Sequence, residues 1–168
     1  MSDVLTRTDP VPAATFVGNQ VTLRAAPAKA RFALRARCAA DLKDILGFAA
    51  TGQIGATASG VACLGPDEWL WRAPDGTPMP DATGRLVAIT DISHRQIGII
   101  IEGPRAVDVL CAGCPLDLAG FAMGRVTRTI FETVEIIVER EAADRFHVEV
   151  WCSFAPYLWA ALTSVAGE

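Results

Sequence analysis

The stretch from Arg85 to Gly120 constrains the fold most, because it combines strand, turn and helix signals in one short segment. Leu86–Ile89 is apolar and partly β-branched, which indicates a buried strand. Polar residues that hydrogen-bond their own backbone interrupt this run at Thr90–His94. Apolar residues then alternate with polar or small ones, which predicts a second strand with one apolar face, formed by Ile97, Ile99 and Ile101.

A helix is predicted directly after the second strand. Gly103 permits a tight turn. Pro104 suits the first helical position, because an N–H group at that position would make no hydrogen bond within the helix and proline lacks one. Gly113 and Pro115 then end the helix. The spacing i, i+3, i+4, i+7 predicts that one buried stripe contains Val107, Leu110, Cys111 and Cys114.

The rest of the chain contributes further strands and helices. Strand-like runs are Arg31–Arg37, Val61–Leu64, Trp69–Arg72, Val126–Phe131, Val134–Val138 and Arg145–Cys152, and helices are predicted at Ala39–Leu46 and after Ser153 as N-cap. Links between the strands are mostly short, and no regular strand–helix–strand repeat is present. We therefore expect an α+β fold, with mixed or antiparallel sheets and helices packed on them.

Two strand faces carry residues that are open to two interpretations. Arg31, Arg35 and Arg37 share one face, which could bind an acidic partner or an anion, or could be a solvated edge whose arginine stems cover apolar surface. Trp69 and Trp71 lie two residues apart, hence on one face, and form either a core wall or an anchor for another subunit.

Composition and charge narrow the class of protein. A length of 168 residues predicts a single domain, which we place at residues 31–168 after an N-terminal arm, residues 1–30, rich in Ala, Pro and Thr. A net charge of -4 gives no basic surface for nucleic acid, and no apolar run approaches the roughly 20 residues that span a bilayer. An odd number of cysteines, five, and no recognisable signal peptide favour a cytoplasmic protein with free thiols.

The candidate chemical groups are few and isolated. Cys111 and Cys114 form a C-x-x-C motif at the C-terminal end of the predicted helix, where the helix dipole opposes a thiolate, so we expect both to pack in the core. No further Cys or His lies at zinc-ligand spacing, and no metal site is predicted. His94 is expected to join a hydrogen-bonded loop with Asp91 and Ser93, and His147 to be solvated on a polar strand face.

Several motifs together resemble one protein family. They are D-I-S-H-R from Asp91, G-P-R-A-V-D-V-L from Gly103, G-C-P-L-D-L from Gly113, L-G-P-D-E-W-L from Leu64 and S-F-x-x-Y-L-W from Ser153. In this order and spacing they resemble the gamma subunit of heterotetrameric sarcosine oxidase. They are more distantly similar to the glycine-cleavage T-protein family. The resemblance covers the chain from about Arg31 to its C-terminus.

The resemblance implies both a fold and a role in sarcosine catabolism. The fold would consist of two packed α/β layers like the folate-binding domains of the T-protein family. The chain would be a non-catalytic accessory subunit of a complex that oxidatively demethylates sarcosine to glycine, with alpha, beta and delta subunits as partners. FAD, FMN, NAD and tetrahydrofolate would be bound by alpha and beta, and zinc by delta. Candidate partner contacts are the four tryptophans, Trp69, Trp71, Trp151 and Trp159.

The T-protein resemblance also implies an alternative, a stand-alone folate-binding or one-carbon-transfer protein. Asp117 occupies the slot of the family's reactive Asp, and Arg95, Arg105 and His94 would be candidates for binding the cofactor. Two features depart from that family: Cys-Pro-Leu precedes Asp117, and one domain cannot close a pocket that the family builds from three. An Asp that caps the turn after Pro115 is the structural alternative. A homo-oligomeric scaffold without a small ligand is a third hypothesis.

Overall fold

A computed structural model describes residues 9–168, so the first eight residues of the predicted arm lie outside the described part. Within it the chain forms eleven strands and three helices, and none of these helices is long and apolar enough to cross a bilayer. The elements are β1 (Phe16–Val17), β2 (Thr22–Ala25), β3 (Lys29–Ala36), α1 (Ala39–Leu46), β4 (Thr57–Ala58), β5 (Val61–Gly65), β6 (Glu68–Pro74), β7 (Val87–Asp91), β8 (Gln96–Glu102), α2 (Ala106–Cys111), β9 (Val126–Phe131), β10 (Val134–Ala142), β11 (Arg145–Trp151) and α3 (Ala155–Gly167).

Two antiparallel sheets make up the fold. The first has six strands in the order β1-β2-β8-β11-β10-β9, and the second has five in the order β4-β5-β6-β3-β7. Chain neighbours pair as hairpins in β9–β10 and β10–β11, with Val134 opposite Phe131 and Val138 opposite Val148. The expected α+β class, with helices on sheets, is confirmed.

Each sheet has its own helix-covered core, because alternate residues of each strand point to that side. Ile99 and Ile101 of β8 pack with Phe146 and Val148 of β11 beneath α2 and α3. On the five-stranded sheet, Phe32, Leu34, Trp69 and Trp71 pack with Leu42 of α1. The opposite faces of the two sheets meet in a third layer, which contains the small apolar cluster Ala62, Leu70, Ile92, Val126 and Ile137.

The described part of the predicted arm, residues 9–30, packs against the rest of the chain. Within residues 9–30, Val21 and Leu23 are buried, and β2 pairs with β8 through Leu23 opposite Ile101. Two alternating apolar residues, Val21 and Leu23, are enough to hold β2 in the sheet, because β8 is a long apolar strand with which β2 pairs. This part of the chain therefore contributes β1 and β2 to the six-stranded sheet, and Lys29 and Ala30 begin β3 of the five-stranded sheet.

Two helix predictions need correction, and the strand predicted as buried at Leu86–Ile89 lies at a sheet edge, where Leu86 is 74% exposed. The helix α2 is shorter than expected and turned, so that Ala106, Val109 and Leu110 are buried while Cys111 is exposed at its last residue. The helix α3 starts at Ala155 after Phe154, without a side-chain cap, so Ser153 is not its N-cap. In both helices, packing against the six-stranded sheet determines where the helix lies and which face is buried, and local capping preferences do not.

Candidate functional site: an ionic layer between the sheets

The third layer also contains charged side chains, which come from the strands at the centre of each sheet. Arg31 and Arg72 point into it from β3 and β6, and Glu139, His147 and Glu149 from β10 and β11. All except Arg72 are buried, and the Arg72 side chain is 11% exposed. We call these five residues, with Glu141 at the rim, the ionic layer.

The most deeply buried ion pair of the ionic layer joins the two sheets. Arg31 Nε donates to Glu149 Oε2 at 2.7 Å, with side chains only 5% and 1% exposed. Arg31 Nη1 also donates to the Lys29 carbonyl at 3.0 Å, and its backbone N–H donates to Ser93 Oγ at 2.9 Å. The arginine is therefore held in place by its own strand, by the β7–β8 loop and by the opposite sheet.

His147 lies between two carboxylates. Its Nε2 is 2.7 Å from Glu149 Oε1, and its Nδ1 is 3.5 Å from Glu141 Oε1. Burial by itself lowers the pKa of His147, but the hydrogen bonds to Glu141 and Glu149 outweigh it, so the pKa lies above its ordinary value of 6.5. The contacts therefore favour the protonated imidazole, and the burial of the side chain corrects the expectation that His147 is solvated.

The carboxylates are held ionised by the same contacts. Burial raises the pKa of Glu149, but the bond and charge of His147 and the charge of Arg31 outweigh it and bring the pKa to about 2. At the rim, the hydrogen bond from His147 lowers the pKa of Glu141 to about 2 against the effect of partial burial. A second pair, Arg72 with Glu139, crosses between the sheets beside it.

The layer depends on a glycine that makes room for the imidazole. A Cβ on Gly98 of β8 would lie 2.7 Å from His147 Nε2 and 2.8 Å from the Ala26 methyl group. Replacing Gly98 by alanine is therefore expected to displace His147 from Glu149 and to lower the free energy of unfolding by about 1–3 kcal/mol in urea titration. The matched control is Gly52→Ala, whose Cβ would be 3.5 Å from its nearest neighbour. Equal stability of the two variants would contradict the described packing.

Chemically, the ionic layer is suited to holding two sheets in one register. Each buried charge faces an opposite charge from another strand, and the desolvation that this costs is recovered only in that alignment. The layer borders two grooves near the β2–β3 connection. One, of about 510 Å³, is lined by Arg31, Ser93 and His94, and the other, of about 270 Å³, by Arg72 and His147.

The candidate cofactor-binding residues have different neighbours. His94 is exposed and lines the 510 Å³ groove, whereas Arg95 stacks on the Trp151 ring at 3.8 Å. Arg105 donates to the Asn19 carbonyl at 3.4 Å. Asp117 is exposed and accepts the Gly120 N–H group at 3.3 Å, as an Asp that caps a turn does. Of these residues only His94 lines the groove of about 510 Å³.

The four tryptophans divide into two pairs. Trp69 and Trp71 are 2% and 8% exposed and pack in the core under α1. Of the two interpretations of this pair, a core wall and an anchor for another subunit, their burial supports the core wall. Trp159 is half-buried against the core of the six-stranded sheet. Trp151 is half-buried between Arg95 and Phe154, whose ring centroid is 6.3 Å away and whose surface is 47% exposed.

The cysteines give a direct test of the described packing. Cys63 and Cys114 are buried, and Cys38 and Cys111 are exposed. Burial also raises the pKa of the Cys63 thiol, which slows its reaction further. We expect a thiol reagent to modify Cys38 and Cys111 in the native protein, and Cys63 and Cys114 only after unfolding, as read by peptide mass. Rapid labelling of Cys114 would contradict its place in the core.

Within residues 9–168 no cluster of His, Cys and acidic residues has the arrangement of a metal site.

Sequence reasoning missed the ionic layer. The strand alternation placed Arg31, His147 and Glu149 correctly on faces opposite the apolar ones. The Arg31 face was left open between binding an acidic partner or an anion and being solvated, and His147 was expected to be solvated. A signal was present in the sequence, because two long strands carry complementary charges on the faces opposite their apolar residues. Each of these strands lies inside its sheet in this two-sheet fold. Both faces of such strands are buried, so their polar residues need partners.

Comparisons with known proteins give the family. No family model matches the chain. It is 30% identical over 142 residues to the sarcosine oxidase subunit gamma of Arthrobacter sp., covering 77% of this chain and 66% of the relative. It is 29% identical over 153 residues to that of Corynebacterium sp. (strain P-1), covering 82% and 70%. The chain thus spans about two thirds of the length of these curated relatives, slightly less for the first.

Solved structures agree on the fold. A heterotetrameric sarcosine oxidase from Corynebacterium sp. U-96, in complex with pyrrole 2-carboxylate, matches with a TM-score of 0.75 and 24% identity, covering 89% of this chain and 86% of that one. The glycine cleavage system aminomethyltransferase T from Bartonella henselae matches with a TM-score of 0.63 and 14% identity, covering 83% and 44%. The resemblance indicated by the motifs is confirmed: this chain is a relative of the sarcosine oxidase gamma subunits.

Proposed function

We propose that this chain is a non-catalytic accessory subunit of a cytoplasmic heterotetrameric sarcosine oxidase, which demethylates sarcosine oxidatively to glycine. Alpha, beta and delta subunits would be its partners and would bind the flavins, NAD, tetrahydrofolate and zinc. The similarity to gamma subunits over 77% of the chain is the observation that carries this proposal.

The use of the buried charged groups supports an accessory role. Arg31, His147 and Glu149 are the ionisable side chains best shielded from water, and catalysis favours such groups. Here they are engaged with one another across the sheets at hydrogen-bond distance. These contacts stabilise the fold, and that fold would be what the chain contributes to a larger complex.

One surface has the composition of a partner contact. Arg95 lies over Trp151, and the exposed Phe154 is adjacent to Trp151. Trp, Arg and Phe are enriched at protein interfaces, where a stacked pair is already ordered before binding. This surface fits contact with a larger subunit.

The test is affinity purification of the tagged full chain from its native cell. We expect proteins similar to the alpha, beta and delta subunits to co-purify in fixed stoichiometry, together with sarcosine-dependent oxygen uptake. The variant Trp151→Ala should reduce recovery of the partners, whereas Ile54→Ala, at another exposed apolar residue, should not. Recovery of the chain alone, or only as a homo-oligomer, would count against the proposal.

A further inference from the structure

The smaller of the two grooves beside the ionic layer, of about 270 Å³, has a basic side and an apolar side. The basic side is formed by Lys29, Arg72, Arg145 and His147. The apolar side includes Pro27 and Ile100. An apolar wall that faces a few convergent polar groups is typical of a site for a small ligand.

Glu141, which also lines the smaller groove, leaves two N–H donors weakly bonded. Its Oε2 accepts a hydrogen bond from Arg145 Nε at 2.8 Å. Its Oε1 lies 3.5 Å from His147 Nδ1 and 4.0 Å from Arg72 Nη1, beyond the usual N–H···O range of about 2.7–3.2 Å. The side chains of His147 and Arg72 are only 7% and 11% exposed, and donors so shielded from water generally have a closer acceptor. The groove therefore suits a ligand that brings a further oxygen acceptor.

Lys29 brings a cation without an ion-pair partner to the same groove. It lies on the same face of β3 as Arg31, two residues away, and so stands at the open end of the ionic layer. Within residues 9–168 no carboxylate forms an ion pair with Lys29, and Asp9 and Asp75 line the larger groove instead. The other charges of the region pair with one another; they are the cations Arg31, Arg72, Arg145 and His147 and the carboxylates Glu102, Glu139, Glu141 and Glu149.

We propose that the smaller groove binds a small aliphatic carboxylate. Its oxygens would accept hydrogen bonds from the Lys29 ammonium and from Arg72 Nη1, and its short alkyl chain would contact Pro27 and Ile100. A monoanion fits better than a phosphate dianion, because one ammonium group is unpaired and Glu141 repels further negative charge. This inference is independent of the accessory function, since the groove is built from this chain alone.

The ligand would also link the two sheets. Lys29 and Arg72 belong to β3 and β6 of the five-stranded sheet, whereas Arg145 and His147 belong to β11 of the six-stranded sheet. A carboxylate among them would therefore add a bridge beside the one from Arg31 to Glu149.

The two histidines of the chain test the place of binding, because each lies at a different groove. Sodium propionate is titrated into the full-length protein at an ionic strength held constant with sodium chloride. The imidazole NMR resonances are recorded, and His94→Gln assigns them. We expect a saturable shift of the His147 resonance, with a Kd on the order of 1 mM, and no shift of the His94 resonance. No His147 shift, a shift of His94, or an equal His147 shift with propionamide, the neutral analogue, would overturn the inference.

The two lysines of the chain provide a matched pair of variants. Lys29→Met should weaken propionate binding at least about tenfold, and Lys43→Met, at an exposed position of α1, less than about twofold. Thermal unfolding of each full-length variant establishes that it is folded. Equal affinity of wild type and Lys29→Met would overturn the inference.

Lysine acylation of the unsubstituted protein tests the same contact without any change of sequence. Saturating propionate should slow the reaction of Lys29 with an N-hydroxysuccinimide ester and leave that of Lys43 unchanged, as read by peptide mass. Equal protection of the two lysines, or protection of neither, would contradict a site at Lys29.

Discussion

Replacing Glu149 by alanine is expected to lower the free energy of unfolding by about 3–5 kcal/mol, the cost of leaving buried charges unpaired. Arg31 loses its carboxylate and His147 loses one of its two, and both side chains are almost fully shielded from water. Urea titration of the full chain at neutral pH measures the change. Arg35→Met is the control, because its contact with Asp67 joins side chains that are 55% and 60% exposed. Such a surface pair contributes less than about 1 kcal/mol.

A double variant separates the ion pair from its surroundings. Arg31→Met with Glu149→Leu should be less destabilised than the sum of the two single changes, because each single change strands the other charge. Additive effects would contradict direct coupling between β3 and β11. A loss below about 1 kcal/mol in Glu149→Ala would mean that water reaches the layer.

The stability of the protein should depend on pH in two windows, one on each side of a plateau. Glu141 and Glu149 have pKa values of about 2 in the fold against an ordinary value of 4.5, so their contribution is complete above pH 4.5 and is lost as the pH falls toward 2. His147 has a raised pKa, so its contribution is complete below 6.5 and is lost as the pH rises through the raised pKa. Stability should therefore be highest between these two ordinary values. Each unit of pKa shift corresponds to about 1.4 kcal/mol.

The variant His147→Gln identifies the group that titrates on the alkaline side. Glutamine can still donate to Glu149 but does not titrate, so the decline in stability above pH 6.5 should flatten. The acid side should also become shallower, because contacts with His147 contribute to the low pKa values of Glu141 and Glu149. Arg31, Arg72 and Arg145 also face these carboxylates. Unfolding free energies measured from about pH 2 to about pH 9 give both slopes. An unchanged alkaline slope in His147→Gln would assign the titration to another group.

Period-two alternation predicted much of the fold because it records which residues share a face. Phe32 and Leu34, and likewise Ile99 and Ile101, are buried together as the pattern indicated. Pattern alone does not tell whether the second face meets water or another sheet. His147 was misjudged for that reason, and its buried position follows from how β3 and β6 stack on β10 and β11.

Local helix signals were less informative than strand signals. Cys111 satisfies the helical spacing but is exposed, because α2 ends there and is rotated so that Ala106 and Val109 face the sheet. The turn at Asp117 was predicted well, since an Asx side chain acts on its own neighbours. The pairing of β2 with β8 depends on residues far apart in the chain, which short-range signals do not encode.

The accessory role is tested most directly by assaying the purified chain and its complex side by side for flavin absorbance and sarcosine-dependent oxygen uptake. We predict neither signal in the isolated full-length chain, both in the complex with the larger subunits, and loss of the complex when this chain is omitted. Stoichiometric flavin or sarcosine turnover in the isolated chain, or a fully active complex assembled without it, would contradict the account.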